Sequence, residues 1–221
     1  MEPLLAGYLL AISAASATLI GMFVVTFKKD FGERILAFLL LLVAGAMIAV
    51  SLGQILPTSF RSNDSHLSVV LMFCVGVSAV LLLARMEIGA DAAARSLLIT
   101  VIAITLHNLP EGATPIGATL IDFDTGITTA VVLALHNIPE GIAIATMARL
   151  AGVGRCLTLL LVLMAAVAEV IGASIVYFFG SEMSDPTTSL ILSMVAGIMV
   201  MISVKELIPY SSRILLSTRQ R

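Results

Sequence analysis

Charge is scarce in this chain. Only 12% of its 221 residues are Asp, Glu, Lys or Arg, while 59% are hydrophobic and the mean hydropathy is +1.11. A soluble globular domain carries about 25% charged and about 45–50% apolar residues. The deficit leaves little room for a soluble domain and indicates a polytopic membrane protein. The net charge of −2 says nothing about partners, because charge in such a protein matters by side and by depth. No basic stripe is present, which removes support for nucleic-acid binding. Cysteine is nearly absent: Cys74 and Cys156 sit in or beside apolar runs with no CxxC pattern, and read as two small core residues. The opening MEPLLAGYLL has no basic n-region and no clear small-residue cleavage site, so it reads as a retained first span. No P-loop and no HExxH motif occurs, which argues against ATP hydrolysis and against an intramembrane zinc protease.

Long apolar runs are what the chain does have. A span needs about 20 such residues, and seven candidates follow one another at 4–27, 35–58, 67–85, 95–120, 126–148, 156–179 and 187–212. The connectors between them are short and carry the turn and charge residues. The expected fold is all-α, a helical bundle forming one transmembrane domain over residues 1–221. Counting Lys and Arg outside the spans places Lys28, Lys29, Arg34, Arg85, Arg95, Arg149, Arg155, Arg213, Arg219 and Arg221 on one side and only Arg61 on the other. The positive-inside rule then puts the N-terminus outside and the C-terminus in the cytoplasm. The expected location is the plasma (inner) membrane. Asp64, Asp122, Asp124, Glu182 and Asp185 fall in the outer loops and read as solvated carboxylates.

Two repeats are visible. LHNLPEG (Leu106–Gly112) returns as LHNIPEG (Leu135–Gly141), and GAMIAVSLGQILPTS (Gly45–Ser59) aligns without gaps to GIMVMISVKELIPYS (Gly197–Ser211). Each pair falls on spans that cross in opposite directions. Inverted repeats around a midplane site are a mark of secondary transporters.

The heptapeptides put His107, Asn108, Glu111, His136, Asn137 and Glu140 near the middle of spans 4 and 5, and Glu169 lies at similar depth in span 6. An ionisable group at that depth is costly unless paired, hydrated or coordinating an ion. His and Glu at i and i+4 share a helical face; Asn at i+1 is turned about 100° away and can serve a neighbouring position. Pro at i+3 frees a backbone carbonyl and kinks the helix. Two such helices side by side gather two imidazoles and two carboxylates, a mixed set that suits zinc, iron or manganese better than calcium or magnesium. Helix-to-helix polar bonding is the plainer reading of these groups, but it does not require the same spacing twice at one depth. Met47 and Met199 occupy matching repeat positions, Met47 as a thioether candidate and Met199 as a weaker one. Gln54 and Glu206 stand near opposite mouths, either on an ion pathway or merely solvated.

On these residues the sequence resembles the ZIP (Zrt/Irt-like) divalent-metal transporters. The carriers of the likeness are HNLPEG and HNIPEG in spans 4 and 5, the Gly45–Ser59 and Gly197–Ser211 segments in spans 2 and 7, and AAVAEVIGA in span 6, where Val170 replaces the proline after the family's glutamate. The resemblance implies a binuclear site: His107, Glu111, His136 and Glu140, with Met47 as a possible further ligand, for one ion; Asn108, Glu111, Asn137, Glu140 and Glu169 for a second, the two glutamates of spans 4 and 5 bridging. It implies import of a divalent transition metal (zinc, also iron, manganese or cobalt) by alternating access, with spans 1, 4, 5 and 6 moving as a unit. It also implies homodimers, and no organic cofactor. The family usually has eight spans where this sequence reads as seven, so a metal-binding membrane protein without transport is the alternative.

Overall fold

The computed structural model describes residues 2–27, 32–85, 91–179 and 185–217. Lys28, Lys29, Glu182, Arg219 and Arg221, used in the charge count or the loop reading, lie outside them. No strand occurs among the described residues. The helices are α1 (Pro3–Phe27), α2 (Glu33–Val50), α3 (Leu56–Arg61), α4 (His66–Arg85), α5 (Ala92–Glu111), α6 (Thr114–Ile121), α7 (Phe123–Leu150), α8 (Arg155–Phe179), α9 (Asp185–Ile202) and α10 (Ile208–Ser217). They make seven stretches long and apolar enough to cross a membrane. The protein is an integral membrane protein with an all-α fold.

Three of these stretches are built from two helices each. Between α2 and α3 runs a π turn, Ser51–Ile55, and between α9 and α10 another, Ser203–Leu207. Pro57 and Pro209 explain both. Neither has an N–H to give the carbonyl four residues back. The donor just ahead, on Leu56 or Ile208, instead reaches five residues back to the carbonyl of Ser51 or Ser203. The serines of the repeat behave alike too. Ser51 Oγ donates to the Met47 carbonyl at 2.7 Å and Ser203 Oγ to the Met199 carbonyl at 2.8 Å. Ser59 and Ser211 bond the carbonyls of Ile55 and Leu207 in the same way. The Gly45–Ser59 and Gly197–Ser211 repeat is therefore a repeat of backbone geometry.

Span 4, expected as one run over 95–120, is interrupted. α5 stops at Glu111, Gly112 and Ala113 form a turn, and α6 restarts with Pro115 in its first turn.

The helices pack in two bodies. α1 lies against α7, α8 and α6, and α5 lies against α8; separately, α4 lies along α9, and α2 against α10. Contacts of α2 with α7 and of α5 with α9 join them. Close approach in the first body rests on glycine. A methyl group on Gly112 would strike the Glu169 carbonyl, and one on Gly172 the Leu109 carbonyl; on Gly141 it would strike Thr18, and on Gly21, Ile138. The α5–α8 and α1–α7 contacts are thus copies of one another, each with a glycine of one helix on a carbonyl of the other. Without a hydrophobic force between helices in lipid, such small-residue contacts hold membrane bundles together.

The main apolar core joins the bodies. It includes Leu40, Val43, Met47, Ile104, Ile144, Met147, Met199 and Ile202. The two cysteines are not in it. Cys74 and Cys156 are exposed on the outward faces of α4 and α8, which corrects their reading as core residues: a small apolar thiol is equally at home against lipid. His66 opens α4, its ring 5.4 Å from that of Phe60.

Candidate metal centre

α5 and α7 bring their four one-turn-apart groups to a single point. Ligand atoms of His107, Glu111, His136 and Glu140 all lie within 4.8 Å of one another. Glu140 Oε1 is the hub, 2.6 Å from His107 Nε2 and 3.0 Å from His136 Nε2; Glu111 Oε1 is 3.7 Å from His136 Nε2. All four are buried, with exposures of 0, 4, 9 and 0% in chain order. His107 Nδ1 lies 3.1 Å from the Ala103 carbonyl. That bond puts the proton on Nδ1 and aims Nε2 inward, the usual way a ligating imidazole is oriented.

The asparagines turn their amide groups to the flanking helices. Asn137 Nδ2 donates to the Ala14 carbonyl of α1 at 2.9 Å and to Glu169 Oε2 of α8 at 2.8 Å. Asn108 Nδ2 donates to the Ala165 carbonyl of α8 at 3.3 Å. This leaves a row of buried acceptors without hydrogen-bond partners: Asn108 Oδ1, Glu111 Oε2, Asn137 Oδ1, Glu140 Oε2 and Glu169 Oε1, with His136 Nε2 unaligned to its neighbours. One such atom costs about 1–3 kcal/mol. Around the two histidines the available atoms are nitrogen and oxygen, and those four side chains could hold a metal ion; towards Glu169 they are oxygen alone.

The remaining candidates fall as follows. Met47 is fully buried, in the same core as Ala103, Ile104, Ala143 and Ile144, and Met199 joins it there. The side chain of Gln54 lies outside the described set. Glu206 is not solvated. It is 6% exposed, sits in the second π turn, and accepts a hydrogen bond from Ser96 Oγ at 2.7 Å.

Two contributors were missed in the sequence. Ser96 had no motif to mark it. α1 did have a signal: AASATLIG (Ala14–Gly21) matches AAVAEVIG (Ala165–Gly172) at five of eight positions. The match pairs Ala14 with Ala165, both receiving an asparagine amide, and Gly21 with Gly172, both seated on a heptapeptide carbonyl. Thr18 then corresponds to Glu169, so only one side of the site carries a third carboxylate.

A buried imidazole–carboxylate cluster between two spans of a helical membrane bundle is the arrangement of a membrane protein able to hold a metal ion. Residues 88–218 match the family described as ZIP zinc transporter. Proteins named zinc transporter ZupT resemble the chain over most of its length. The protein from Stenotrophomonas maltophilia is 34% identical over 91% of this chain and 84% of its own. Those from Shigella flexneri and Escherichia coli are 32% and 33% identical, each over 93% of this chain and 86% of their own. The chain belongs to the ZIP zinc transporter family, a family of transporters and not of enzymes.

Proposed function

We propose that the protein imports divalent transition metal ions into the cytoplasm, zinc foremost and iron, manganese or cobalt besides. The observation that carries this reading is the buried cluster of two imidazoles and two carboxylates surrounded by acceptor atoms without partners. The donor types favour zinc and its neighbours over calcium. The relatives named zinc transporters support zinc as the cargo.

His107, Glu111, His136 and Glu140 hold one ion, with Met47 approaching from α2. Asn108, Glu111, Asn137, Glu140 and Glu169 hold a second through oxygen, the two glutamates bridging. Glu206 and Gln54 lie on the route to the two faces. Orientation with the N-terminus outside follows from the Lys and Arg count, and the inner membrane of a bacterial cell suits the organisms of the relatives. Under that orientation the main apolar core lies on the cytoplasmic side of the site. Among the described residues, that core stands between the site and the cytoplasmic face, so inward release of an ion requires the bodies to shift. The division into α1, α5, α6, α7 and α8 against α2, α3, α4, α9 and α10 supports alternating access by sliding of the first body against the second. Inward movement of a dication across about 100 mV releases roughly 4.6 kcal/mol, so no nucleotide is required. Ligands must be deprotonated to bind, so acid opposes uptake.

The test is uptake of radioactive zinc into proteoliposomes holding the whole chain, with Glu111→Ala and Glu140→Ala beside it. Both variants insert normally and lose uptake. Zinc retained at the protein without accumulation in the lumen would select the alternative, binding without transport. Unchanged uptake in either variant would remove that residue from the path.

A further inference from the structure

α5 belongs to the body that carries the metal helices, and it packs on α9 and on the second π turn of the other body. One polar bond crosses that boundary. Ser96 Oγ donates to Glu206 Oε2 at 2.7 Å, and both side chains are buried. One turn further along α5 stands Thr100. Residues four apart share a helical face, so Thr100 lies on the face of α5 that Ser96 presents to Glu206. Its side chain is fully buried, and among the described residues its hydroxyl has no hydrogen-bond partner. A buried hydroxyl left unpaired is a cost to the fold and calls for a reason.

The apolar neighbours repeat with the hydroxyls. Leu97 follows Ser96 and Val101 follows Thr100, and both lie in the core that also holds Ile202 and Leu207. A shift of α5 by four residues, about 6 Å of helix, therefore lays hydroxyl on hydroxyl and aliphatic on aliphatic. Apolar contact is non-directional and survives such a shift; a hydrogen bond must be broken and remade. One-turn ratchets of this kind carry packed elements between two discrete arrangements. The direction follows from the Lys and Arg count, which places the start of α5 at the cytoplasmic end. Thr100 stands outward of Ser96, so bringing it level with Glu206 carries α5, with His107 and Glu111, towards the cytoplasm.

We propose that Ser96 and Thr100 are two successive partners of Glu206, a latch of one helical turn that defines two positions of the metal-carrying body. The latch rests on the alternating-access reading above and adds to it a step length and the groups that mark its two ends. In the present position Ser96 holds the carboxylate. In the displaced position Thr100 donates to it, and Ser96 moves towards the aqueous end of α5. Both are positioning residues, about 16 and about 10 Å along α5 from His107, and neither is a ligand of the ion.

The experiment measures a distance across the two bodies by pulsed electron paramagnetic resonance. Spin labels sit on Asp124→Cys, at the outer end of α7, and on Leu216→Cys, an exposed position of α10 at the other end of the second body. The full chain is held in nanodiscs with zinc, its exposed cysteines replaced by Cys74→Ala and Cys156→Ala. Two distances are expected, that of the present structure and one shorter by up to about 6 Å. Ser96→Ala moves the ratio about tenfold towards the shorter distance, and Thr100→Val about tenfold towards the longer, the effect of one hydrogen bond to a charged group. Thr100→Ser keeps the parent ratio, and zinc affinity by calorimetry is the same in all three. A ratio unmoved by Ser96→Ala and Thr100→Val, or moved in one direction by both, overturns the latch and leaves the sliding of the bodies standing. So does an equal shift in Thr146→Val, which removes another buried hydroxyl without a partner among the described residues, on α7. A single distance in the labelled parent chain overturns the sliding itself, and the latch with it.

Discussion

The two heptapeptides differ at one position, Leu109 against Ile138, yet their surroundings diverge. In the first copy the helix ends on the motif's own glutamate, and the chain turns through Gly112 and Ala113. In the second, α7 runs through Pro139 without a break for 28 residues. The cause lies just beyond the motif. After Gly112 comes ATP, whose Pro115 removes the donor that the Glu111 carbonyl would have taken. After Gly141 comes IAIA, which keeps every donor. The carboxylates diverge with the backbone. Glu140 sits between both imidazoles, at 2.6 and 3.0 Å, while Glu111 approaches only His136, at 3.7 Å. A motif repeated in letters thus yields one central carboxylate and one flanking carboxylate, the second of them beside a helix break.

The largest expected effect separates those two carboxylates. Zinc affinity of the purified chain, measured by calorimetry, falls further in Glu140→Ala than in Glu111→Ala. Removing one partner from a buried charge cluster costs about 3–5 kcal/mol, and Glu140 is expected at the upper end. Equal losses would mean that the ion recentres between the copies when it binds.

Next in size is packing. Gly112→Ala and Gly141→Ala should each lower thermal stability by about 1–3 kcal/mol, since a backbone carbonyl cannot yield as a side chain would. Their losses should match, because the two glycine contacts are copies. Gly45→Ala, where an added methyl meets nothing within 4 Å, should leave the melting temperature unchanged or slightly raised. Unequal losses would show that the α1–α7 and α5–α8 contacts are not energetically equivalent.

A smaller effect is local. Pro115→Ala restores the missing donor and should fuse α5 with α6, making the first copy resemble the second. Hydrogen exchange over residues 112–117 is expected to slow, with global stability little changed. Exchange as fast as in wild type would place the cause of the break in Gly112 and tertiary packing.

The smallest concerns the caps. Both motif helices begin at an aspartate: Asp91 Oδ1 accepts from the Ala94 N–H and Asp122 Oδ1 from the Thr125 N–H, each at 2.8 Å. Asp122 also accepts from the Thr125 hydroxyl, and these bonds, the hydroxyl's first, hold its carboxyl below the usual carboxylate range. An unfolded Asp122 therefore binds its proton more readily than the folded one. Its contribution is present above the usual carboxylate value and fades as pH falls through the lowered one. Asp122→Ala should cost a little stability at neutral pH and nothing in strong acid, by thermal melts across that range. A difference constant with pH would mean that the cap acts without its charge.

Much of this was readable in the letters. The structure has seven helical stretches long and apolar enough to cross a membrane, the number hydropathy gave, because in lipid a helix must satisfy its own backbone and its length is set by the bilayer. The four cluster residues were legible from i, i+4 spacing on two neighbouring spans. The Gly45–Ser59 and Gly197–Ser211 alignment anticipated a shared geometry, though not that it would be a π turn. The α1–α8 repeat was legible and missed, since its matches are alanine and glycine, residues that a search for ligands passes over. Ser96 beside Glu206 could not be read: the two are 110 positions apart, and a lone serine in an apolar helix carries no chemistry of its own.

By itself, the sequence determined a bundle of membrane-crossing helices with imidazoles and carboxylates at one depth, because hydropathy and helical periodicity are local properties. Only the tertiary structure decided that Glu140 is the hub and that Asn137 spans from α1 to Glu169. Those depend on how closely separate helices approach and how each is rotated. Glycine contacts with carbonyls on neighbouring helices set that approach, and a chain read along its length does not disclose which carbonyl each glycine will meet.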